Sequence, residues 1–144
     1  MPGIQKFVRL AANVVAANAT LANTGLVIPI AANQRLTGTA ILFITVGATG
    51  GLRLSLTVPA GGSAYAADYT LVNNVASSVA GAFQAAAAAF ANAAANAGTH
   101  QVTVNFDIVN GSTAGNVVLQ FAQNTTDALT ATLLAGSNIV AIQS

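Results

Sequence analysis

The sequence predicts an all-β chain, an antiparallel β-sandwich or jelly roll, on three observations. Leu52, Leu54, Leu56 and Val58 alternate with Arg53, Ser55 and Thr57. That is the period of a half-buried strand, because successive side chains leave a pleated backbone on opposite faces. Thr37 to Val46 is apolar on both faces, with Ala40, Leu42 and Ile44 on one and Ile41 and Phe43 on the other. A strand of that kind is expected to be covered on both sides. Turn residues then recur about every ten positions, the rhythm of a sandwich. The chain divides into residues 1–24, an amino-terminal arm or first strand, and residues 25–144, a single sandwich domain.

The elements follow in order. Phe7 to Val15 has the spacing of an extended strand, despite the helical propensity of its alanines. Leu26, Ile28 and Ile30 alternate with Val27 and Pro29; proline lacks the ladder donor, so this strand belongs at an edge. Gln34 to Gly62 reads as two strands joined by the turn Gly47-Ala48-Thr49-Gly50-Gly51 and stopped at Pro59-Ala60-Gly61-Gly62. Tyr65 to Val72 is a further short strand. Residues 78–97 read either as an alanine-rich helix, with Phe83 and Phe90 on one face, or as an extended segment. Val102, Val104, Phe106 and Ile108 then alternate with Thr103, Asn105 and Asp107. Asn110-Gly111 opens a hairpin loop, and Val117, Leu119 and Phe121 line the inner face of the return strand. Gln123 to Asp127 is a polar turn; Leu129, Ala131 and Leu133 start the next strand, and Ile139 to Ile142 closes the sheet.

Composition restricts function more than any motif does. The 144 residues include no cysteine, four Lys or Arg and three Asp or Glu, so charged residues make up 5% of the chain against about 25% in an ordinary soluble domain. Mean hydropathy is +0.67, yet no run approaches the roughly 18 apolar residues of a membrane helix. The amino terminus lacks the h-region and cleavage site of a signal peptide. No membrane partner is therefore expected. Four scattered basic residues make no phosphate-binding footprint, which argues against nucleic acid. High apolarity with almost no charge is instead what burial against other protein chains would produce.

Chemistry-bearing residues are sparse, and the expectation is a protein that is not an enzyme, with no cofactor and no metal. His100 stands alone as a conceivable general base near Asp107 and Ser112, without the spacing of a known triad, and reads as a solvated or interface histidine. Asp68, Asp107 and Asp127 lack the spacing of a calcium loop. The sequons at Asn18, Asn110 and Asn124 are of the frequency expected in an Asn/Thr-rich chain. Arg53, on the polar face of the alternating strand, and Arg35 are candidates for an Arg–Asp contact that orients a subunit interface. Lys6 and Arg9 lie in the amino-terminal segment, a candidate arm onto a neighbour.

Two stretches carry a resemblance. Ala32-Asn33, Thr49-Gly50-Gly51-Leu52 and Val58-Pro59-Ala60-Gly61 resemble the turn pattern of β-sandwich domains in tailed-bacteriophage virion proteins. Ala122-Gln123-Asn124, Thr125-Thr126-Asp127 and Gly136-Ser137 are similar to that pattern's second half. The likeness spans most of the chain; Leu36 stands where that group has an aromatic residue, Phe121 where it has a larger one, and the tract Ala85 to Ala95 has no counterpart. The resemblance implies a decoration or cement protein on the capsid surface, made in the host cytoplasm. Its expected partners are itself, as a homotrimer, and the major capsid protein. The alternative it allows is a tail-tip or fibre domain that binds a host receptor or glycan, for which Tyr65 and Tyr69 are the candidate aromatics.

Overall fold

A computed structural model of the chain describes residues 3–47, 51–72, 77–79, 90–92 and 97–144. Within them the protein is an all-β sandwich of two antiparallel sheets packed face to face. The strands are β1 (Ile4–Arg9), β2 (Val14–Ala16), β3 (Ala22–Ile30), β4 (Arg35–Val46), β5 (Leu52–Thr57), β6 (Ser63–Val72), β7 (Ser77–Val79), β8 (Phe90–Asn92), β9 (Gly98–Val109), β10 (Gly115–Ala122), β11 (Ala131–Leu133) and β12 (Asn138–Gln143). The larger sheet runs β1-β12-β4-β9-β6-β7, with β11 bridging β2 and β4; the smaller runs β3-β10-β5-β8.

The core lies between the sheets and follows the alternation. From the larger sheet come Leu36, Ala40, Leu42 and Ile44 of β4 and Val102, Val104, Phe106 and Ile108 of β9; from the smaller come Leu26, Ile28 and Ile30, Leu52, Leu54 and Leu56, and Val117, Leu119 and Phe121. Each of these sets occupies every second position except at Gly38 of β4. Gly38 faces the core because β4 and β12 approach so closely there that a Cβ would lie 2.4 Å from the Val140 carbonyl oxygen.

The pairing of the strands differs from the expectation. β4 and β5 are not a hairpin: β4 is flanked by β12 and β9, while β5 lies in the other sheet between β10 and β8. β9 and β10 are likewise in different sheets. The chain crosses from sheet to sheet at residues 31–34, 110–114 and 123–130, so these turns are corners of the sandwich. Glycine and asparagine permit a tight reversal in either arrangement, and alternation specifies a face without naming a partner. The corner after β9 is held by Asn110, which is 4% exposed. Its side-chain amide donates to the carbonyls of Ala31 (2.8 Å) and Thr113 (2.9 Å), and its backbone N–H donates to Gln34 (2.9 Å).

The residues 1–24 contain β1 and β2, paired inside the chain with β12 and β11. Both ladders are interrupted at the same level. Leu10 N–H donates to the Ser137 carbonyl (2.8 Å), Gly136 N–H to the Leu10 carbonyl (2.9 Å), and Phe43 N–H to the Ser137 hydroxyl (3.0 Å). The fully buried Ser137 thus accepts the β4 donor that the break would leave without a partner. Pro29 lies on β3, an edge of the smaller sheet as its missing N–H predicts. The segment considered as helix or extended structure is strand at residues 77–79 and 90–92; residues 80–89 and 93–96, including Phe83, lie outside those described, as do residues 48–50.

Candidate functional site

The outward faces of the two sheets differ. On the smaller sheet, Arg53, Ser55 and Thr57 do not form the solvent-facing polar row that their alternation suggests: Ser55 is fully buried, and Arg53 and Thr57 are half-buried. Arg53 donates to the Ala19 carbonyl (3.3 Å) and ties the loop after β2 to the sheet.

The larger sheet presents the opposite surface. Register places Phe7 opposite Val140, and Ile142 next to Thr37 on β4. Phe7 is 61% exposed and Ile142 55%. Together with Val15, Tyr65, Val109 and Val140 they point outward from this one sheet, and among the described residues Ile4 and Leu129 are the other large apolar side chains as exposed. Ile41 and Phe43, expected under a cover, are half-exposed on the same face. The inner row of β4 is the one that lies deep between the sheets; Ile41, Phe43 and Thr45 of its outer row are part-buried.

The face has two halves. On the β1–β12 side, Phe7, Val140 and Ile142 form an apolar strip with Gln5, Arg9 and Asn138 around it. On the β4–β9–β6 side, Thr37, Thr39, Asn105 and Asp107 stand among the apolar surfaces of Ile41, Phe43, Tyr65 and Val109. There a groove of about 590 Å3 is lined by Thr37, Gly38, Thr39, Tyr65, Asn105, Phe106 and Asp107. Its polar side chains are bonded to one another across strands: Thr39 hydroxyl to Asn105 Oδ1 (2.8 Å) and Thr37 hydroxyl to Asp107 Oδ1 (3.1 Å). Arg35 closes the rim with a bidentate ion pair to Asp107, its Nε lying 2.7 Å from Oδ1 and its Nη2 on Oδ2. The hydrogen bonds from Arg35 hold the Asp107 carboxyl below its ordinary range, against the opposing effect of partial burial and with help from Thr37. An Arg–Asp contact therefore exists, but within one chain, where the sequence suggested one between chains.

The remaining candidates separate. Lys6 points under β1 and donates to the Pro29 carbonyl (2.7 Å), joining the edges of the two sheets. Arg9 lies exposed at the end of β1. His100 is 2% exposed, on the core side of β9 opposite Ile44; it is neither solvated nor at a surface. Its parity with Val102 and Val104 was the available signal, since residues two apart share a face. Asp127 sits in the loop after β10, whose backbone is anchored by the buried Gln123 amide to Asp127 and Leu129. No group of three or more metal-ligating side chains occurs among the described residues, and no described helix is long and apolar enough to cross a membrane.

No protein-family model matches the chain, and no curated protein does. Among solved structures, a chain in the structure of infectious bursal disease virus, Gx strain, aligns over 99% of this chain and 41% of its own, at 15% identity and a TM-score of 0.26. A chain of the infectious bursal disease virus VP2 subviral particle aligns over 97% and 40%, at 12% identity and a TM-score of 0.26. The T13 viral particle of the same virus gives 99% and 38%, at 12% identity and 0.27. This chain spans about two-fifths of the length of those chains. Tailed-bacteriophage proteins have no counterpart among these three. The chain is an all-β protein with a weak structural likeness to viral capsid proteins, and at such TM-scores that likeness carries nothing about what it does.

Proposed function

We propose that the protein is a structural virion subunit that associates with copies of itself and binds the capsid surface as a cement or decoration protein. The observation that carries the reading is the gathering of exposed apolar side chains, Phe7, Val140 and Ile142 foremost, on one face of one sheet. Contiguous exposed apolar surface marks interaction sites, and a chain with 5% charged residues has little electrostatic protection against association. The expected assembly is a homotrimer, its second partner the major capsid protein. Binding only to the closed shell would stabilise the shell by mass action. The reading is non-catalytic: Asp107 is committed to Arg35, and His100 is enclosed in the core.

Co-sedimentation with purified capsid shells tests this. Binding at a stoichiometry that follows the lattice, abolished by Phe7→Asp, is expected; recovery in purified tails with none on heads would overturn it. Light scattering of the isolated protein should give a trimer, and a monomer at high concentration would contradict the self-association. A second reading, a tail-tip or fibre domain that binds a host receptor or glycan, is favoured by the groove beside Tyr65.

A further inference from the structure

We infer that the groove between β4, β9 and β6 is a binding site for a neutral pyranose sugar. This deepens the second reading above and holds whether or not the apolar strip docks on a capsid. The shape comes first: about 590 Å3 is within the range of small-molecule sites, about 300–1,000 Å3, and this one is an open trough on a sheet face, able to take a unit of a longer chain.

The chemistry of the lining selects the ligand. A pyranose ring has apolar C–H faces and an equatorial belt of hydroxyls that both donate and accept. Tyr65, 41% exposed, offers an aromatic wall for a C–H face. Thr37, Thr39, Asn105 and Asp107 offer hydroxyl, amide and carboxylate groups along two neighbouring strands. Their mutual hydrogen bonds fix them before any ligand arrives, which lowers the ordering cost of binding. Asn105 uses Oδ1 to accept from Thr39, and its exposed side chain retains two Nδ2 hydrogens as donor capacity. The Asp107 carboxylate accepts from Arg35 and Thr37 and retains lone-pair capacity for a hydroxyl donor.

Charge decides against an acidic sugar. Arg35, the cation at the rim, is already neutralised by a bidentate carboxylate, so a ligand carboxylate would meet Asp107 rather than a free guanidinium. A second copy of this chain is a weaker fit, since the exposed apolar strip at Phe7, Val140 and Ile142 lies on β1 and β12, beyond the groove. β6 stands three strand spacings from β12, roughly 14 Å, so a partner seated on the β1–β12 side leaves Tyr65 accessible.

The test is a titration of the full chain, followed by calorimetry and by amide chemical shifts, with maltotriose, cellotriose, chitotriose and N-acetyllactosamine, and with sialyllactose as the acidic comparison. At least one neutral sugar is expected to saturate the protein and to shift the amides of β9 around Asn105. Tyr65→Ala and Asn105→Ala should each weaken binding by about tenfold or more, whereas Tyr65→Phe retains it. Phe7→Asp should leave sugar binding unchanged, which separates this site from the docking strip. Circular dichroism melts confirm that each variant is folded; should Tyr65→Ala not fold, Asn105→Ala carries the test. Saturation by none of the neutral sugars, preference for sialyllactose, or neutral-sugar binding indifferent to both alanine variants would each overturn the assignment.

Discussion

Replacing Asn110 separates a corner pin from an ordinary turn residue. Were Asn110 present for a tight hairpin turn, glycine would serve as well. Its φ is not positive, however, since Asn33 is the non-glycine residue with positive φ among those described. Its amide instead bonds two carbonyls on different segments, Ala31 and Thr113. Each net hydrogen bond contributes about 1 kcal/mol, so Asn110→Ala and Asn110→Gly should both cost about 2 kcal/mol. For a chain of this size that lowers Tm by roughly 6–8 °C. Asn110→Asp is the sharper variant, because it turns the donor into an acceptor facing two carbonyl oxygens. Burial and those oxygens raise the introduced carboxyl's folded pKa above the unfolded value, about 3.9. A raised carboxyl leaves stability intact below the unfolded value and removes it as pH rises. Asn110→Asp should therefore melt below Asn110→Ala at pH 7 and recover toward it at pH 3.5, each relative to the parent at the same pH. Thermal melts by circular dichroism and urea unfolding provide the readout. Asn110→Gly within about 1 °C of the parent, or an Asn110→Asp deficit independent of pH, would refute the pin.

Three further outcomes are expected. Asp107, held below its ordinary value of 3.8 chiefly by the Arg35 hydrogen bonds, contributes stability that is present above that value and lost as pH falls through the lower folded one; urea unfolding between pH 2 and 6 should show this loss in the parent and not in Asp107→Asn. Ser55→Ala should raise stability by about 1 kcal/mol in the same assay, since the Ser55 hydroxyl is buried without a partner, and a fall in stability would mean that the hydroxyl is bonded. Gly38→Ala should cost about 1–3 kcal/mol by calorimetry, because the added carbon would sit 2.4 Å from the Val140 carbonyl oxygen and 2.7 Å from the Ala141 Cβ.

Which residues face the core was legible wherever alternation was strict. Leu26, Ile28 and Ile30, the even positions from Val102 to Ile108, and Val117, Leu119 and Phe121 are all buried as their spacing requires. What alternation cannot specify is the neighbouring strand, which explains why β4–β5 and β9–β10 looked like hairpins. Ser55 shows a second limit: residue type predicted solvent for a position that the fold buries. The two-faced apolarity of β4 predicts cover by a second sheet, a helix or another subunit; the smaller sheet covers its inner row, while Ile41 and Phe43 lie part-exposed on the outer face. The groove was not legible at all. Tyr65, Asn105 and Thr39 come from three strands, and only the register of β9 against β4 and β6 brings them together. Of its parts, sequence reasoning had singled out Tyr65 as an exposed aromatic and Arg35 as a cation in search of an aspartate.

The placement of the few charges bears on how the protein meets a neighbour. Lys6 bonds the Pro29 carbonyl, Arg53 the Ala19 carbonyl and Arg35 the Asp107 carboxylate, so three of the four cations are engaged within the chain. With seven charged residues and a net charge of +1, the chain has little field to steer or repel a partner, which leaves orientation to shape and hydrogen bonding. Association through strand edges is hindered where β1 and β3 lie together. An inward-pointing lysine on an edge strand disfavours the addition of another strand. Pro29 directs its carbonyl to Lys6 and offers no N–H to a newcomer. With that side closed, the broad face of the larger sheet is the surface that the proposed association would use. A face, unlike an edge, selects by the pattern of its side chains, here an apolar strip at Phe7, Val140 and Ile142 beside a groove whose polar groups are Asn105, Asp107, Thr37 and Thr39.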